Sequence, residues 1–339
     1  MSRAPVGIVG ASGYSGAVLA SLRARHPGVE LVLATSDKRD AERVSDVTGA
    51  DTGELRFTPN AGAFERAASC DVVLLATSAE VSLELAPKLL AAGKKVIDLS
   101  GAFRLADVAA YPRWYKLEHH RPELLAEAHY GLFELRGPPP AGTRLVANPG
   151  CYPTAALLAI APLLDAGLAD AEGIIVDAKS GVTGAGRQAK EEYSLAEVAG
   201  DLRAYKLLSH QHTPEIERFA RARVTFSAHL LPIRRGILAT SYLRPRAGVT
   251  TDAVMGALTR AYASSPFVRV MSPERVRIAG VAGTNQAHVG AVADGAVIVV
   301  TSAIDNLMKG AAGQAVENLN LLLGHPRETG LLGLPRFAP

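Results

Sequence analysis

The sequence has 339 residues, which suits two domains, and its 48% hydrophobic and 20% charged residues are typical of an ordinary soluble globular protein. Its formal net charge of +3 points to neither a nucleic acid nor an anionic membrane as partner, although a small anionic ligand is easily accommodated. The two cysteines, Cys70 and Cys151, give neither a disulfide framework nor a metal-binding spacing, and no apolar run approaches a membrane span, so we expect a cytoplasmic chain without a metal.

A glycine-rich turn follows the first apolar run, Val6–Val9, and precedes an amphipathic stretch that ends near Arg25. A strand, a glycine turn and a helix form the context of the dinucleotide-binding fingerprint, in which glycines let the backbone approach a pyrophosphate at a helix N-terminus. The spacing GxxGxxG is a variant of the usual GxGxxG. We predict that this turn binds a dinucleotide through Gly10, Ser12, Gly13, Tyr14, Ser15 and Gly16.

The end of the second predicted strand, residues 30–35, indicates which dinucleotide is bound. In this fold the residues that follow that strand meet the adenosine ribose. The hydroxyl of Ser36 and the cations of Lys38 and Arg39 suit a 2′-phosphate, whereas Asp37 suits a free 2′-hydroxyl. We therefore expect NADP(H), with NAD(H) left open by Asp37.

Residues 71–100 read as two continuous apolar strands separated by a helix near 82–92, which predicts a doubly wound parallel sheet. Thr77 ends the first of these strands, and we assign it to the cofactor site. In the loop after the second strand, Ser100 and Arg104 are candidates for binding an anion, the alternative being an ion pair between Arg104 and Asp98. Residues 105–145 are rich in proline breaks and are expected to be irregular.

The stretch NPGCYPT, residues 148–154, places a cysteine at the start of a predicted helix that runs from about 153 to 167. Pro149 and Gly150 form a turn, and Pro153 fits the first helical turn, so Cys151 lies at or just before the helix N-terminus. Backbone N–H groups and the helix dipole there stabilise a thiolate. Cys151 is therefore a candidate nucleophile for a carbonyl, the alternative being a cysteine that only packs.

The second half of the chain reads as an α+β domain with a mixed or antiparallel sheet. A strand near 174–179 leads into a glycine-rich loop, 180–187, whose backbone can come close to a ligand and whose Arg187 is a candidate for binding a carboxylate or a phosphate. Runs 224–231 and 236–243 are predicted to form a hairpin around a basic turn that contains Arg234. A helix near 251–263, strands near 287–293 and 296–302 and a last helix ending near Leu323 follow.

A histidine pair in HQHTPE, residues 210–215, opens a further helix. A metal site is a poor explanation, because no third ligand lies nearby in the sequence. We interpret His210 or His212 as the acid/base partner of Cys151, with Glu215 orienting one imidazole. Together with a nicotinamide cofactor, a thiol and arginines imply that the thiol attacks an acyl phosphate and that the resulting thioester is reduced to an aldehyde.

The chain resembles the family of N-acetyl-γ-glutamyl-phosphate reductases of arginine biosynthesis, relatives of the aspartate-semialdehyde dehydrogenases, over nearly its whole length. The resemblance is carried by six motifs in order: GASGYSG (10–16), DLS with FR (98–104), NPGCYPT (148–154), KSGVTGAGR (179–187), HQHTPE (210–215) and DNLMKGAAGQ (305–314). The family often has Gly-Gly-His-Arg-His where this chain has Leu-Ser-His-Gln-His at 208–212.

This resemblance implies an NADP-binding Rossmann domain made of residues 1–147 with 306–339, and a domain of residues 148–305 for catalysis and subunit contacts, in a homodimer or homotetramer. It implies that Cys151 is the nucleophile and that one histidine of the pair is the acid/base, for which we favour His212. We expect the cofactor also to meet Ser180, Gly181 and Asn306, and the substrate to meet Ser100, Arg104, Asn148, Arg187 and Arg234.

The expected reaction is the NADPH-dependent reduction of N-acetyl-γ-glutamyl phosphate to N-acetylglutamate 5-semialdehyde and phosphate. One alternative is the carrier-linked aminoadipyl-phosphate reductase of lysine biosynthesis, whose members tend to lack the PGCYP sequence found here. A second is a non-catalytic NADP-binding sensor, which predicts the loss of Cys151 or of both histidines. A Cys-His hydrolase leaves the glycine turn unexplained, and aspartyl phosphate is a more distant alternative substrate.

Overall fold

The computed structural model describes residues 3–187 and 191–333, which divide into two compact units. Unit 1 comprises the described residues up to Pro149 together with Ala311–Gly333, and unit 2 comprises the described residues of Gly150–Gly310. The sequence placed the second boundary at 306, and the structure places it five residues later, at Ala311. The reason is local: Asn306 accepts a hydrogen bond from the Gly236 N–H and donates one to Thr183 Oγ1, both in unit 2. Residues 334–339 of the expected Rossmann domain lie outside the described residues.

Unit 1 is built on a six-stranded sheet with the order β2-β1-β3-β4-β6-β5, in which all neighbouring strands are parallel. Its elements are β1 (Ala4–Val9), α1 (Tyr14–Ala24), β2 (Val29–Ala34), α2 (Val44–Thr48), α3 (Ala63–Arg66), β3 (Val72–Leu75), α4 (Ala79–Ala91), β4 (Lys95–Asp98), α5 (Tyr111–Tyr115), α6 (Pro122–Glu127), β5 (His129–Tyr130), α7 (Phe133–Arg136) and β6 (Leu145–Ala147). The doubly wound parallel sheet expected from the sequence is confirmed.

Residues 105–145, expected to be irregular, contain three short α-helices, a 3₁₀-helix (Val108–Ala110) and a strand of two residues. Two of the prolines that read as breaks lie at the start of helices instead, since Pro112 is the second residue of α5 and Pro122 is the first residue of α6. Proline is tolerated there because its missing N–H has no partner within the helix anyway.

Unit 2 contains a seven-stranded mixed sheet with the order β11-β12-β13-β10-β7-β9-β8. Its elements are α8 (Cys151–Asp165), β7 (Ile174–Gly181), α9 (Leu195–Val198), β8 (Arg203–Tyr205), α10 (Thr213–Ala220), β9 (Val224–Leu231), β10 (Ile237–Leu243), α11 (Thr251–Ala261), β11 (Val268–Val270), β12 (Ala287–Ala293) and β13 (Ile298–Ile304). A π-helix (Met308–Ala312) then leads into α12 (Gly313–Leu323), and the whole of α12 belongs to unit 1. The mixed sheet expected for the second half of the chain is confirmed.

The hairpin predicted from runs 224–231 and 236–243 is wrong. Strand β7 lies between β9 and β10, parallel to β9 and antiparallel to β10. The turn between these runs therefore crosses one strand rather than joining two neighbours. Gly181, at the end of β7, makes this crossing possible, because a Cβ on it would stand 2.9 Å from the backbone of Arg234.

The two faces of the sheet in unit 2 differ in burial. Along β7 and β10 buried and partly exposed residues alternate, as expected for strands with one covered face. Helix α8 contacts the covered face at β10 and β13, and its length is almost wholly apolar and buried. No helix among residues 3–187 and 191–333 is long and apolar enough to cross a membrane.

Candidate active site

Cys151 is the first residue of α8, and Gly150 is its N-cap in an extended conformation. The Gly150 N–H donates a hydrogen bond of 2.8 Å to Oε1 of the buried Glu215, and Thr154 Oγ1 donates to the Gly150 carbonyl at 2.9 Å. Because α8 is buried behind this cap, the cysteine is held at a rigid position while its own side chain stays partly exposed. A partly exposed thiol at a helix N-terminus is what nucleophilic chemistry requires.

A cavity of about 350 Å³ within unit 2 brings the cysteine and both histidines together. It is lined by Cys151, Tyr152, His210 and His212, and also by three residues not predicted from the sequence, Arg203, Tyr205 and Lys206. Strand β8 positions Arg203 and Tyr205. Strand β8 has only three residues, too few to show the alternation of a strand in the sequence. The sequence therefore did not predict this strand or its side chains in the cavity.

The two histidines have different environments. His210 is only 4% exposed, and its Nδ1 accepts a hydrogen bond of 3.1 Å from the His212 N–H. Burial, with a smaller contribution from Lys206, lowers the pKa of His210 to about 3. His210 is therefore neutral near pH 7, with its proton on Nε2. His212 is less buried and is the N-cap residue of α10.

Two tyrosine hydroxyls form a short chain beside the histidines. Tyr205 donates to Tyr152 at 3.1 Å, and Tyr152 donates to the His229 carbonyl at 3.1 Å. The Tyr152 ring stands edge-on to both imidazoles, with centroids 5.4 Å from His210 and 5.9 Å from His212. Burial raises the pKa of both tyrosines, so they remain neutral hydroxyls.

Two residues, Glu215 and Gly310, hold the start of α8 and its cysteine in place. Glu215, expected to orient an imidazole, binds the Gly150 N–H and so positions the start of α8. Gly310, which the sequence did not single out, packs directly on the cysteine: a Cβ on it would stand 2.9 Å from Cys151 Cβ and 3.2 Å from the Asp305 carbonyl oxygen. Close packing therefore requires a glycine at this position, and the sequence alone gave no reason for it.

The glycine turn of unit 1 fits a dinucleotide. A Cβ at Gly10 would stand 2.5 Å from the Ala76 carbonyl oxygen, and one at Gly16 would stand 2.4 Å from the Gly10 carbonyl oxygen, so both positions require glycine. A Cβ at Gly13 would meet only the Gly10 carbonyl oxygen, at 3.6 Å, which leaves this side of the turn open to a phosphate. Tyr14 and Ser15 begin α1 directly after it.

The residues predicted for the adenosine side of the cofactor include Ser36, whose hydroxyl contacts the glycine turn at Ser12. The hydroxyls of Ser12 and Ser36 are 2.6 Å apart, and Thr77 Oγ1 lies 2.9 Å from Ser82 Oγ. Both oxygens of the Asp37 carboxylate accept from Asn60, one from its N–H at 2.8 Å and one from its side chain at 2.7 Å. The Asp37 carboxylate, the group that favoured NAD(H), therefore uses part of its hydrogen-bonding capacity within the protein. Lys38 and Arg39 are exposed.

The polar groups of three residues predicted to meet the substrate are engaged within unit 1. Arg104 is 5% exposed and donates to the carbonyls of Asn148 and Leu99, at 2.8 and 2.7 Å. Ser100 Oγ donates to Asp98 Oδ2 at 2.7 Å, and burial raises the pKa of the Asp98 carboxyl group. Asn148 is fully buried, donates to the Ala311 carbonyl at 3.2 Å and accepts from Asn318 at 3.0 Å.

The remaining predicted residues lie around the loop after β7. Arg187 and Arg234 are exposed, and neither lines the cavity with Cys151. Ser180 is buried at the end of β7, next to Gly181. Asn306 bridges this loop to the Gly236 backbone. Within the described residues no group of three or more His, Cys, Asp or Glu side chains is arranged to hold a metal ion.

Family models match both halves of the chain. Residues 5–138 match the semialdehyde dehydrogenase NAD-binding domain, and residues 151–306 match the semialdehyde dehydrogenase dimerisation domain. The two matches fall within the two units that the structure shows.

Two relatives that align with this chain over nearly the full length of both proteins have the same name. The protein of Symbiobacterium thermophilum named N-acetyl-gamma-glutamyl-phosphate reductase is 44% identical over 96% of this chain and 97% of its own length. The protein of Herminiimonas arsenicoxydans with the same name is 43% identical over 97% of this chain and 98% of its own length.

Among solved structures, aspartate semialdehyde dehydrogenase II from Vibrio cholerae has the same fold. It superposes with a TM-score of 0.70 at 20% identity, over 95% of this chain and 99% of the other. Aspartate semialdehyde dehydrogenase with NADP from Candida albicans superposes with a TM-score of 0.66 at 15% identity, again over 95% and 99%. From its matches in both halves and its full-length relatives, the chain belongs to the semialdehyde dehydrogenase family, and within it to the N-acetyl-γ-glutamyl-phosphate reductases.

Proposed function

We propose that this protein reduces N-acetyl-γ-glutamyl phosphate to N-acetylglutamate 5-semialdehyde and phosphate with NADPH, a step of arginine biosynthesis. The observation that carries the proposal is the cavity of unit 2, in which Cys151, at the rigid start of α8, shares one space with His212. Full-length relatives with the name of this reductase support the choice of substrate.

The cofactor residues are those of the glycine turn and of its adenosine side. Gly10, Gly13 and Gly16 let the pyrophosphate approach the start of α1, and Ser36 with Lys38 and Arg39 suits a 2′-phosphate. When bound, NADPH supplies the hydride that converts the acyl group to the aldehyde. Ser180, Gly181 and Asn306 are proposed for the nicotinamide side, on the strength of the family motifs alone.

In the chemical steps, Cys151 is the nucleophile and His212 is the acid/base. His212 accepts the proton of the thiol, and Sγ forms a bond to the acyl carbon while the bond from that carbon to the phosphate oxygen breaks. The resulting thioester accepts a hydride more readily than a carboxylate does. After reduction the carbon–sulfur bond breaks, and the sulfur leaves as a thiolate with release of the aldehyde. His210, neutral and bound to the His212 N–H, positions the segment that carries the acid/base.

The alternatives weighed from the sequence receive no support from the relatives. None of those described above carries the name of a carrier-linked aminoadipyl-phosphate reductase. A non-catalytic sensor has no need for a thiol and an imidazole in one cavity. We therefore retain the reductase as the one proposed function, in the cytoplasm, where the two cysteines stay reduced.

We further infer that the active form is a homodimer in which the exposed face of the seven-stranded sheet is the subunit interface. The match of residues 151–306 to a dimerisation domain supports this inference. Ile175 on β7, Tyr242 on β10, Val299 on β13 and Val292 on β12 are paired in register and form one row across four strands. Three of them expose 37 to 44% of their surface, an unusual row of large apolar side chains for a face left in water.

The test is the reverse reaction, the phosphate-dependent reduction of NADP by N-acetylglutamate 5-semialdehyde, with aspartate semialdehyde as the comparison substrate. We expect activity with the acetylated substrate and a loss of at least about 10³-fold in kcat for Cys151→Ala. Cys70→Ala is the matched control, because Cys70 is a fully buried core residue of unit 1. Full activity of Cys151→Ala, or a preference for aspartate semialdehyde, would refute the proposal.

A further inference from the structure

Lys206 lies at the rim of the cavity that contains Cys151, in the turn between β8 and α10. Its Nζ donates a hydrogen bond of 3.0 Å to Oε1 of Gln211, which lines the same cavity. The charge of Lys206 is close enough to His210 to contribute to its lowered pKa. Lys206 is exposed, so its ammonium group stands at the solvent side of the cavity that contains the thiol.

This ammonium group is not neutralised by the protein. Among the described residues no carboxylate lies within ion-pair distance of Lys206, although Glu192 lines the same cavity. The side-chain NH₂ of Gln211 also donates no hydrogen bond within the described part of the chain. The Lys206 ammonium group and the Gln211 amide are adjacent, and each has N–H groups that donate no hydrogen bond within the described residues. Such a pair of donors suits an oxyanion.

The backbone supports a functional reason for this arrangement. Lys206 has φ +47° and Leu208 has φ +55°, a conformation that side chains other than glycine adopt rarely and at a cost. Leu207 and Leu208 expose 55% and 73% of their surface, so burial of these side chains does not explain the turn. The residue of this turn that does line the cavity is Lys206.

We propose that Lys206 Nζ and the amide N–H of Gln211 bind an oxyanion of the acyl-phosphate substrate beside Cys151. This inference rests on the proposed function. The oxyanion is either the carboxylate of the acetylglutamyl group or the phosphate that the thiol displaces. The sequence expectation assigned these groups to Arg104, Arg187 and Arg234, none of which lines the cavity.

The reverse reaction separates the two oxyanions, because the carboxylate is then carried by the semialdehyde and the phosphate is a second substrate. In Lys206→Met we expect a rise of about tenfold in one of the two KM values and less than twofold in the other, since one charge-assisted bond is lost. Lys206→Arg keeps the charge and should restore most of the affinity. A rise for the semialdehyde identifies the carboxylate, and a rise for phosphate identifies the phosphate.

A second measurement does not depend on turnover. Cys151 is alkylated with iodoacetamide in the presence of increasing N-acetylglutamate or inorganic phosphate, and the modified peptide is counted by mass spectrometry. We expect one of these probes to protect the thiol, and Lys206→Met to need about tenfold more of it. This result supports oxyanion binding even if the wild type proves inactive with the semialdehyde, so failure of the proposed function is distinguishable.

Two further variants separate the charge from the backbone. Lys206→Gly removes the charge but relieves the strained conformation, so it should lose affinity like Lys206→Met without losing thermal stability. Lys116→Met is the matched control, because Lys116 is an exposed lysine with φ +57° in unit 1. Unchanged KM values and unchanged protection in Lys206→Met, or equal effects in Lys116→Met, would overturn the proposal.

Discussion

His210 accepts a hydrogen bond at its ring Nδ1 from the backbone N–H of His212, over 3.1 Å. The bond fixes the His210 ring as an acceptor on this side, and burial keeps it uncharged near pH 7. The two histidines therefore have different environments in the structure: the buried His210 ring supports the backbone of His212, and we propose the more exposed His212 ring for proton transfer.

The first prediction concerns this division of roles. His212→Asn should lower kcat by about 10²- to 10⁴-fold, the contribution of a general acid or base. His210→Asn should keep kcat within about tenfold, because the Asn side-chain oxygen can accept the same N–H two residues on. Steady-state kinetics of the reverse reaction measure both. A larger loss in His210→Asn than in His212→Asn would contradict the assignment.

The second prediction concerns stability in acid. The pKa of His210 falls from 6.5 to about 3 on folding. Between pH 6.5 and about pH 3, the His210 ring is therefore protonated in the unfolded chain and neutral in the folded protein. The stabilisation is fully present above pH 6.5 and is lost as the pH falls towards 3. Relative to His210→Asn, the wild type should lose unfolding free energy with a slope of up to about 1.4 kcal/mol per pH unit.

Urea unfolding at pH 7, 6, 5 and 4 measures this difference, since other titrating groups are common to both proteins and cancel. His120→Asn is the control, because His120 is exposed in unit 1. It should follow the wild type at every pH. Parallel curves for the wild type and His210→Asn would show that the ring takes up its proton in the folded protein.

The third prediction concerns Gly310, which packs on Cys151, the proposed nucleophile. In Gly310→Ala the added Cβ would stand 2.9 Å from Cys151 Cβ and 3.2 Å from the Asp305 carbonyl oxygen, so one of these groups has to move. Overpacking of this kind costs about 1–3 kcal/mol of stability. A displaced nucleophile should also lower kcat by about 10²-fold, because attack depends on orientation. Thermal melts and reverse kinetics measure the two effects.

Gly256→Ala is the matched control for Gly310→Ala. Gly256 lies within α11 of unit 2, and a Cβ on it would meet only the flexible end of Arg260, at 3.2 Å. Alanine should there raise stability by about 0.5–1 kcal/mol through helix propensity, with kcat unchanged. If Gly310→Ala behaves in the same way, the close packing on Cys151 has no functional consequence.

The features that were predicted correctly from the sequence are those that depend on a short local pattern of residues. The glycine turn before α1 and the cysteine at the start of α8 depend on neighbours within a few residues, and the structure has both where the patterns put them. What the sequence missed depends on pairing between distant segments. Strand β7 separates β9 from β10, and no pattern within residues 224–243 could show that a strand some forty residues earlier lies between them.

The same reason explains the cations around the cavity. Arg104, Arg187 and Arg234 were chosen because they stand in recognisable motifs, yet a guanidinium binds whatever acceptor is nearest in space. Arg104 is surrounded by backbone carbonyls. Lys206 stands in no motif singled out from the sequence and reaches the cavity through a strained turn, which only the backbone angles reveal.

The fourth prediction tests the sheet face as the subunit interface. Tyr242→Lys places a charge in the centre of the row formed by Ile175, Tyr242, Val299 and Val292, and an unpaired charge buried between subunits costs several kcal/mol. On size-exclusion chromatography with light scattering, the wild type should have twice the mass of one chain and Tyr242→Lys should have the mass of one chain. Phe64→Lys is the control, because Phe64 is an aromatic residue of unit 1 with the same exposure, 37%. It should leave the dimer intact, since its charge stays in water. A dimeric Tyr242→Lys would show that the subunits meet elsewhere, and the exposed apolar row would then need another partner.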